Sequence, residues 1–462
     1  MPELPEVETV VRTLEKQIGN ATISDVHVLH VPIVKGDIGR FVETLKGHTI
    51  RSYKRRGKYL LFELDNVCLV AHLRMEGKFF IYSEETNPSK HDHLIISLND
   101  GREVHYNDVR KFGRFEICPL PVDYKSFKDL GPEPLEDSFN VNYCESELRL
   151  RTKCIKSTLL DQVFVAGIGN IYADEILFRS RIHPLIPCFL LSKKEIRRLT
   201  KNTKLILSEA IKAGGSTIRS YTSSLGVTGL FQNSLSVYGR KGELCPRCSS
   251  KIKKIEVGGR GTHFCPNCQK NKRRIAITGL IGSGKSAVSQ IIRDNNYSVF
   301  DADAVNSELL KNDVVLARIC DRFPEAFENG MLIRSKLASL IFNDQKNRKD
   351  LENILHPIIR ARMISDSKKV NPFFAEIPLL FESNFDRHFD YVMCVVASEE
   401  NILKRMANRG YDRNATMERL KTQYPVSLKV RKSDLIINND KSYETLESEV
   451  ERWLKKIDAW QK

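Results

Sequence analysis

Residues 245–286 constrain this chain most strongly, because they hold two elements that cannot share one hydrophobic core. The first is two Cys-x-x-Cys pairs with sixteen residues between them, a spacing that predicts a four-thiolate zinc ribbon. The second is a GxxxxGKS phosphate loop directly after the apolar residues 275–278. The chain is therefore expected to contain at least two domains. The predicted zinc ligands are Cys245, Cys248, Cys265 and Cys268.

The phosphate loop predicts a site for ATP with Mg²⁺. Backbone amides of such a loop cradle the phosphates, its lysine reaches the β- and γ-oxygens, and its last serine binds the metal ion. The predicted strand 297–300 leads into Asp301 and Asp303, and a carboxylate at this end of a strand suits a base or magnesium ligand. A plain turn is the alternative for these acids. The loop residues are Gly279, Gly282, Ser283, Gly284, Lys285 and Ser286.

The net charge of +15 over 462 residues is concentrated in one part of the chain. Residues 138–270 hold 22 Lys and Arg against 9 Asp and Glu, whereas residues 1–137 hold 19 against 22. This distribution predicts a phosphate-backbone binder, with a merely solvated basic surface as the alternative. We expect a reducing, cytoplasmic location without a membrane partner, because neither a signal peptide nor a membrane-spanning apolar run is evident.

The first residues combine a helix start with an unusual amine. If Met1 is removed, Pro2 carries a secondary α-amine whose pKa lies well below that of lysine, so part of it is a free nucleophile near neutral pH. Glu3 and Glu6 follow, and apolar residues at helical spacing continue to Ile18. From these residues alone, the favoured interpretation is an ordinary helix that begins with proline.

Residues 23–117 predict a β-sandwich, because short alternating runs are separated by turn signals. One basic cluster, residues 54–58, ends in Lys58. A second cluster sets Arg110 beside Phe112, which suits a base-step wedge with a phosphate clamp; a core phenylalanine beside solvated charges is the alternative.

Residues 138–235 predict a helical region. The glycine-rich turn at 165–171 opens one helix at Asn170, and helix amides there could bind an anion such as phosphate. The predicted helices cover residues 145–150, 159–165, 171–178 and 193–213.

Several ordered motifs make residues 1–270 resemble the formamidopyrimidine-DNA glycosylase family. That family has an N-terminal β-sandwich, then a helix-two-turn-helix domain with a zinc finger. The resemblance implies a DNA repair enzyme that flips an oxidised purine, such as 8-oxoguanine or formamidopyrimidine, out of double-stranded DNA. The matching segments are residues 1–8 (MPELPEVE), 72–77 (HLRMEG), 108–113 (DVRKFG), 130–135 (LGPEPL), 165–175, 214–217 (GGST), 237–240 (VYGR) and the zinc ribbon.

The same resemblance assigns roles and overturns the ordinary interpretation of Pro2. Pro2 would attack the sugar C1′ to form a Schiff base while Glu3 acts as the acid. Lys58 would donate a proton in β-elimination, and Arg260 would do so in δ-elimination and bind a phosphate. The zinc would be structural, since four thiolates leave no open coordination position. Met75, Arg110 and Phe112 would fill the hole left by the flipped base, and His91, Arg151 and Asn170 would contact DNA.

Residues 274–462 resemble the dephospho-coenzyme A kinase family, which transfers the ATP γ-phosphoryl group to the ribose 3′-hydroxyl of dephospho-CoA. Matching stretches include residues 334–342, 351–357, 377–382 and 433–438, and a third apolar strand is predicted at 391–397. The resemblance makes Asp303 the base. Arg405 and Arg409, both predicted on a helix, would be lid cations. Arg334 and His356 would line the acceptor site, although His356 before Pro357 could equally cap a helix.

Three positions depart from the family patterns. Ser220 stands in the lesion-capping loop where aspartate is common, so lesion preference does not follow from the resemblance. Leu280 replaces a usual glycine and Ala287 a common threonine. Leu280 falls in the variable part of the phosphate loop, so we expect the loop to function.

The chain is therefore predicted to be a bifunctional, multidomain enzyme. Its α/β P-loop kinase domain should contain a parallel sheet. The alternatives are a DNA-coupled NTPase and a protein with one inactive module; the absence of a strand ending in paired Asp-Glu argues against the first. A monomer is expected. The predicted domains are the β-sandwich at 1–137, the helix-two-turn-helix domain at 138–235, the zinc finger at 236–270 and the kinase at 271–462.

Overall fold

The computed structural model describes residues 1–120, 122, 125–216, 230–342 and 344–461, without the side chains of residues 125, 126 and 342. The chain divides into two compact units, Met1–Asn271 and Lys272–Lys462. Ser220 and most of the predicted lesion-capping loop lie outside the described residues.

The first unit begins with helix α1 (Leu4–Ile18), whose apolar side packs into a β-sandwich. Val7, Val10 and Leu14 are buried in one core with side chains from two antiparallel sheets. The sheets have the strand orders β1-β6-β7-β5 and β2-β3-β4-β8, so the predicted sandwich is confirmed. The remaining elements are β1 (Ile23–Val28), α2 (Ile38–Leu45), β2 (Ser52–Arg56), β3 (Tyr59–Glu63), β4 (Val67–His72), β5 (Lys78–Tyr82), β6 (Asp92–Leu98), β7 (Glu103–Asn107) and β8 (Arg114–Pro119).

A helical region follows the sandwich. The Ser192 side chain accepts a hydrogen bond from the Glu195 amide and so caps the longest of its helices. The predicted helix over residues 159–165 is wrong, because α5 ends at Leu160. Beyond that point, the Gln162 side chain bonds to the backbone of Gly167 and Ile168 and stabilises a turn instead. The helices are α3 (Lys125–Lys128), α4 (Val141–Leu150), α5 (Ile155–Leu160), α6 (Asn170–Ser180) and α7 (Lys193–Lys212).

The cysteine-rich segment contains a two-stranded hairpin, β9 (Lys253–Val257) and β10 (Arg260–Phe264). Its turn residues, Gly258 and Gly259, have φ angles of 55° and 72°. Two left-handed residues in succession give a tight hairpin turn that glycine adopts without strain. Arg260 therefore lies at the tip of the hairpin.

The second unit is built on a five-stranded parallel sheet of order β12-β15-β11-β16-β17, which confirms the predicted α/β class. Two strands, β15 and β17, were not predicted as strands. The sheet and a small hairpin consist of β11 (Arg274–Gly279), β12 (Val299–Asp301), β13 (Phe327–Glu328), β14 (Met331–Leu332), β15 (Phe373–Glu376), β16 (Tyr391–Val396) and β17 (Leu435–Asn438). The helices are α8 (Lys285–Asp294), α9 (Ala302–Leu309), α10 (Asp313–Arg322), α11 (Arg334–Phe342), α12 (Gln345–Asp366), α13 (Glu399–Ala407), α14 (Arg413–Lys421), α15 (Val426–Lys432) and α16 (Tyr443–Gln461).

No helix in the described part of the chain is both long enough and apolar enough to cross a bilayer.

Candidate active sites

The Glu3 carboxylate binds the N-terminus of α6. It accepts hydrogen bonds from the amides of Gly169 at 2.7 Å, Ile171 at 2.9 Å and Tyr172 at 3.4 Å. The glycine is required sterically, since a Cβ on Gly169 would lie 2.3 Å from Glu3 Cδ. The anion at this helix N-terminus is therefore a carboxylate of the same chain, rather than the phosphate that the glycine-rich turn suggests.

Burial dominates the acid–base properties of this site. It raises the pKa of Glu3, although the charge of Lys58 and the helix amides oppose the shift. Burial also lowers the pKa of the Met1 α-amine, against the charges of Glu3 and Glu6. Pro2 is buried beside these groups. Burial therefore favours the uncharged forms of both the Glu3 carboxyl and the N-terminal amine.

Glu6 supports Glu3 from within the same helix. Its Oε2 accepts the Glu3 amide at 2.9 Å, while its Oε1 accepts the Tyr172 hydroxyl at 2.6 Å and the Ser216 amide at 2.7 Å. These bonds join α1 to α6 and to the end of the described segment at residue 216. The second glutamate thus fixes the position of the first.

Lys58 lies in the same region and is 8% exposed. Its Nζ donates a hydrogen bond to the Ile168 carbonyl at 2.8 Å, in the turn that precedes α6. Burial lowers the pKa of Lys58, while Glu3 and Glu6 raise it and Arg260 lowers it further. A lowered pKa makes the Lys58 ammonium group a stronger proton donor than an ordinary lysine.

The hairpin of β9 and β10, called the zinc hairpin below, is attached to α6 through a buried charge network. Asp174 Oδ1 accepts Lys156 Nζ at 2.6 Å, and Asp174 Oδ2 accepts the His263 amide at 2.8 Å. Asn170 Nδ2 donates to the Gly261 carbonyl at 2.9 Å. The exposed Arg260 is thereby held near Lys58 and the helix N-terminus, close enough to affect the pKa of Lys58.

The four predicted cysteines converge at the base of the hairpin. Their Sγ atoms lie within 4.8 Å of one another, with separations of 3.4 Å for Cys248–Cys265, 3.4 Å for Cys248–Cys268 and 3.9 Å for Cys245–Cys268. A tetrahedral ion with Zn–S bonds of about 2.3 Å requires sulfur separations of about 3.8 Å. The thiolates therefore fit a structural Zn²⁺.

A loop after β7 carries the predicted wedge residues. The buried Asp108 side chain accepts the amides of Arg110 at 3.0 Å, Phe112 at 2.9 Å and Gly113 at 2.9 Å. Phe112 is 46% exposed, so the alternative of a core phenylalanine is wrong. The Arg110 guanidinium lies 4.8 Å from the centre of the Phe112 ring. The loop thus presents an aromatic ring and a cation together.

Three other predicted DNA contacts have different surroundings. Met75 is half-buried in the turn between β4 and β5. His91 is half-buried, and its Nδ1 has no hydrogen-bond partner among the described residues. Arg151 pairs with Glu147 at 2.8 Å and lies 3.7 Å from Asp161. The Arg151 charge is therefore already partly compensated within the protein.

The phosphate loop of the second unit connects β11 to α8. Lys285 Nζ donates to the carbonyls of Gly279 at 3.3 Å and Leu280 at 2.9 Å. Burial lowers the pKa of Lys285 to about 8, while the charge of Glu376 opposes this shift. Arg405, the predicted lid cation, donates to the Ser283 carbonyl at 3.2 Å. The Leu280 carbonyl also accepts the Ser283 amide at 3.1 Å.

Glu376 is a site residue that the sequence analysis missed. It ends strand β15, and its Oε1 accepts the Ser286 hydroxyl at 3.1 Å. Asp303 lies in the first turn of α9, where desolvation raises its pKa, as do the charges of Asp301 and Glu376. Ser286 and Glu376 together provide the oxygen ligands that Mg²⁺ prefers. An acidic residue at the end of a short apolar run was the available signal.

A cavity of about 370 Å³ adjoins Asp303. His356 lines it from inside α12, so the alternative of a helix cap is wrong. Burial lowers the pKa of His356, and its ring lies 5.4 Å from that of Phe385. The lining is mostly apolar, with polar groups that include Asp303, Asn306, Arg348 and Glu382. Its size and lining suit a small organic substrate.

Two predicted cations of this unit, Arg334 and Arg409, differ from the expected arrangement. Arg334 is exposed at the start of α11 and is not among the residues that line the cavity. Arg409 lies beyond the end of α13 at Ala407, so its assignment to the helix is wrong. It nevertheless lies near enough to Lys285 to lower the pKa of that lysine.

The folds and sites define a nucleic-acid-processing unit followed by a P-loop phosphotransferase unit. Family profiles give the same division. The profile "Formamidopyrimidine-DNA glycosylase N-terminal domain" matches residues 1–115, the corresponding H2TH profile matches 130–222, and "Zinc finger found in FPG and IleRS" matches 242–271. The "Dephospho-CoA kinase" profile matches residues 273–445.

Individual relatives cover the first unit. The formamidopyrimidine-DNA glycosylase of Oceanobacillus iheyensis is 46% identical over 262 residues, which are 56% of this chain and 94% of the relative. A Bacillus cereus relative of the same name is 48% identical, with 56% and 95% covered. The chain therefore belongs to the formamidopyrimidine-DNA glycosylase family, and it carries a dephospho-CoA kinase domain after the zinc finger.

Solved structures agree with this assignment. The Lactococcus lactis Fpg protein in complex with abasic-site DNA is 45% identical to this chain, with a TM-score of 0.56. It is matched over 58% of this chain and 100% of its own length. A variant of the same protein, in complex with DNA that contains Fapy-dG, gives the same values.

Proposed function

We propose that this chain is a bifunctional enzyme, with a DNA glycosylase/AP lyase in its first unit and a dephospho-CoA kinase in its second. The single observation that best supports the first activity is the cluster of Pro2, Glu3 and Lys58 at the N-terminus of α6. There, burial raises the pKa of Glu3 and lowers the pKa of Lys58. Its partner is double-stranded DNA with an oxidised purine.

In the proposed reaction, Met1 is absent and the Pro2 amine attacks C1′ of the damaged nucleotide. The bond from C1′ to the base breaks, and the neutral Glu3 carboxyl supplies a proton to the departing base. The amine then loses its proton as the C1′–O4′ bond breaks, which opens the sugar ring. The sugar remains attached to Pro2 as a Schiff base. Lys58 then donates a proton in β-elimination at the 3′ side, and Arg260 does so in δ-elimination at the 5′ side.

The DNA contacts are proposed from exposure and charge. Phe112 and Arg110 lie on a loop fixed by Asp108 and would enter the gap left by the flipped base, with Met75 beside them. His91, Asn170 and Arg151 would contact the backbone. Because Arg151 already pairs with Glu147, its contribution should be the smallest of these.

Borohydride reduction tests the first activity. The proposal predicts a covalent protein–DNA adduct when protein lacking Met1 meets a lesion-containing duplex. An otherwise identical preparation that retains Met1 is the matched control and should give no adduct. Equal yields from the two preparations would contradict the assignment of the Pro2 amine.

For the second activity, Asp303 lines the cavity and lies near enough to Lys285 of the phosphate loop to affect the pKa of that lysine. ATP would bind with its phosphates at the loop, and Ser286 and Glu376 would hold Mg²⁺, which neutralises phosphate charge when bound. Asp303 would accept the proton of the acceptor 3′-hydroxyl as that oxygen attacks the γ-phosphorus and ADP leaves. Arg405 and Arg409 would bind ATP, and His356 would contact the acceptor.

Conversion of dephospho-CoA to coenzyme A by the purified chain tests this second activity. We expect ATP-dependent product formation. This activity should be lost in Lys285→Ala, because the buried Lys285 ammonium group lies within the phosphate loop, where it donates to the Leu280 carbonyl and would contact the ATP phosphates. Arg334→Ala is the control variant and should retain phosphorylation, because the exposed Arg334 side chain does not line the cavity. No product from the wild-type chain with Mg²⁺ present would contradict the proposal.

A further inference from the structure

The carboxylate of Glu382 forms part of the wall of the acceptor cavity. Its Oε1 accepts Lys429 Nζ at 2.7 Å and the Tyr424 amide at 2.8 Å. The Lys429 side chain is completely buried, so this ion pair is shielded from water on the lysine side. Glu382 is therefore held in one orientation by two donors on the same oxygen atom.

The other carboxylate oxygen has no such partner. Glu382 Oε2 is buried and accepts no hydrogen bond within the described part of the chain. Asn306 Oδ1, on a residue that lines the same cavity, is likewise buried without a described partner. Buried acceptor atoms are normally paired, so two such atoms in one cavity indicate a ligand that brings hydrogen-bond donors.

Glu382 belongs to the part of the cavity that is connected to the phosphate loop. Tyr424, which it binds, follows Gln423, and Gln423 Oε1 accepts the Ile281 amide of the loop at 3.1 Å. Lys429 Nζ also donates to the carbonyl of Pro378, another cavity residue, at 3.4 Å. The acceptor hydroxyl that receives the phosphoryl group must lie near this loop.

We propose that Glu382 Oε2 accepts a hydrogen bond from the ribose 2′-hydroxyl of the acceptor nucleotide. In the proposed reaction, the neighbouring 3′-hydroxyl faces Asp303, which lines the same cavity. The two adjacent hydroxyls would then be distinguished by two carboxylates, one that fixes the sugar and one that takes the proton. This inference rests on the proposed kinase function.

The test compares three acceptors with the full-length wild-type chain: dephospho-CoA, its 2′-deoxy analogue and its 2′-fluoro analogue. Neither analogue can donate from the 2′ position, so we expect kcat/KM to fall by at least about tenfold for both. In Glu382→Gln, kcat/KM for dephospho-CoA should fall while kcat/KM for the two analogues stays near the wild-type values. The ratio of kcat/KM between dephospho-CoA and each analogue should therefore be less than about twofold. The KM for ATP should change little. Ser383→Ala is the matched control. It should keep the wild-type preference for dephospho-CoA over the two analogues, because the Ser383 hydroxyl already donates to the Leu379 carbonyl.

The outcomes separate the possible failures. Equal use of dephospho-CoA and the 2′-deoxy analogue by the wild type would overturn the role of Glu382, as would full activity with the 2′-fluoro analogue. A folded Glu382→Gln variant that retains the wild-type preference would overturn it too. If Glu382→Gln does not fold, the two wild-type comparisons still decide. Absence of turnover with dephospho-CoA itself would instead contradict the proposed kinase function.

Discussion

Burial shifts the pKa values of Glu3 and Lys58 in opposite directions within one site. Desolvation disfavours the charged form of each group, so the pKa of Glu3 is raised and that of Lys58 is lowered. The protonated fraction of Glu3 therefore persists to higher pH than in an ordinary glutamate. Excision that depends on this acid should decline as pH rises through the raised pKa of Glu3.

Replacement of Glu3 by glutamine should separate the two steps of the glycosylase. The amide cannot supply the acidic proton, so we expect base excision to fall by at least about 100-fold. Strand cleavage at a preformed abasic site should be much less affected, because it needs no departing base. The exposed Glu15→Gln on the same helix is the control. Equal losses on both substrates would show that Glu3 is needed for more than the acid step.

Asp301 should control the pH dependence of the kinase. Desolvation first, and then the charges of Asp301 and Glu376, raise the pKa of Asp303. A base must be deprotonated, so turnover should fall as pH drops through this raised pKa. Asp301→Asn removes one negative neighbour and keeps a side chain able to cap α9. The acidic limb of the pH profile of kcat/KM should therefore move to lower pH. An acidic limb at unchanged or higher pH would contradict the assignment of Asp303 as the base.

Among the structural elements, the N-terminus of α6 depends on the absence of one side chain. Gly169 has an extended backbone that any residue can adopt, with φ of −127°, so only the contact with Glu3 requires glycine there. We expect Gly169→Ala to reduce lesion cleavage by at least about tenfold and to lower the unfolding temperature of the first unit. Gly39→Ala, where a Cβ would lie 3.4 Å from Asp37 Oδ1, should leave both measurements near wild type. Equal effects of the two changes would contradict the steric interpretation.

The zinc hairpin carries Arg260 but has little core of its own. Loss of the ion should therefore unfold the hairpin, because metal binding supplies the folding free energy of such small elements. We expect Cys265→Ser to abolish binding of lesion DNA, measured by fluorescence anisotropy, and to leave dephospho-CoA phosphorylation near the wild-type rate. Loss of both activities, at a temperature where circular dichroism shows a folded chain, would contradict the independence of the hairpin and the kinase.

Elements with a strong local pattern could be predicted from the sequence, whereas others depend on tertiary contacts. The strand over 59–63 and the phosphate loop have clear signatures, and both are present. Strand β15 is four residues long and buried on both faces, so it shows no alternation, and Glu376 was missed with it. Pairing of Glu3 with the α6 amides joins residues 166 or more positions apart, which no local pattern reveals. The Glu147–Arg151 ion pair has the i,i+4 spacing of a helix, so this contact could have been predicted from the sequence.

At the scale of the whole molecule, two units with separate hydrophobic cores carry two sets of active-site residues. In a DNA-coupled NTPase, ATP hydrolysis at the phosphate loop would be coupled to movement along DNA. Asp303, which lines the cavity of this unit, instead lies near enough to Lys285 of the phosphate loop to affect the pKa of that lysine. The strand next to β11 ends in a single glutamate. This arrangement favours a small-molecule kinase whose turnover does not depend on DNA.

The most direct test of the two-activity assignment is a crossed assay on Glu3→Gln and Lys285→Ala chains. Each variant, with the wild type, would be measured for lesion excision and for dephospho-CoA phosphorylation, the latter with and without lesion duplex. We predict that Glu3→Gln loses only excision and Lys285→Ala only phosphorylation. DNA should change the kinase rate by less than about twofold, because each unit has its own hydrophobic core and its own set of active-site residues. Loss of excision in Lys285→Ala, or a several-fold change in kinase rate on addition of lesion DNA, would contradict two independent sites.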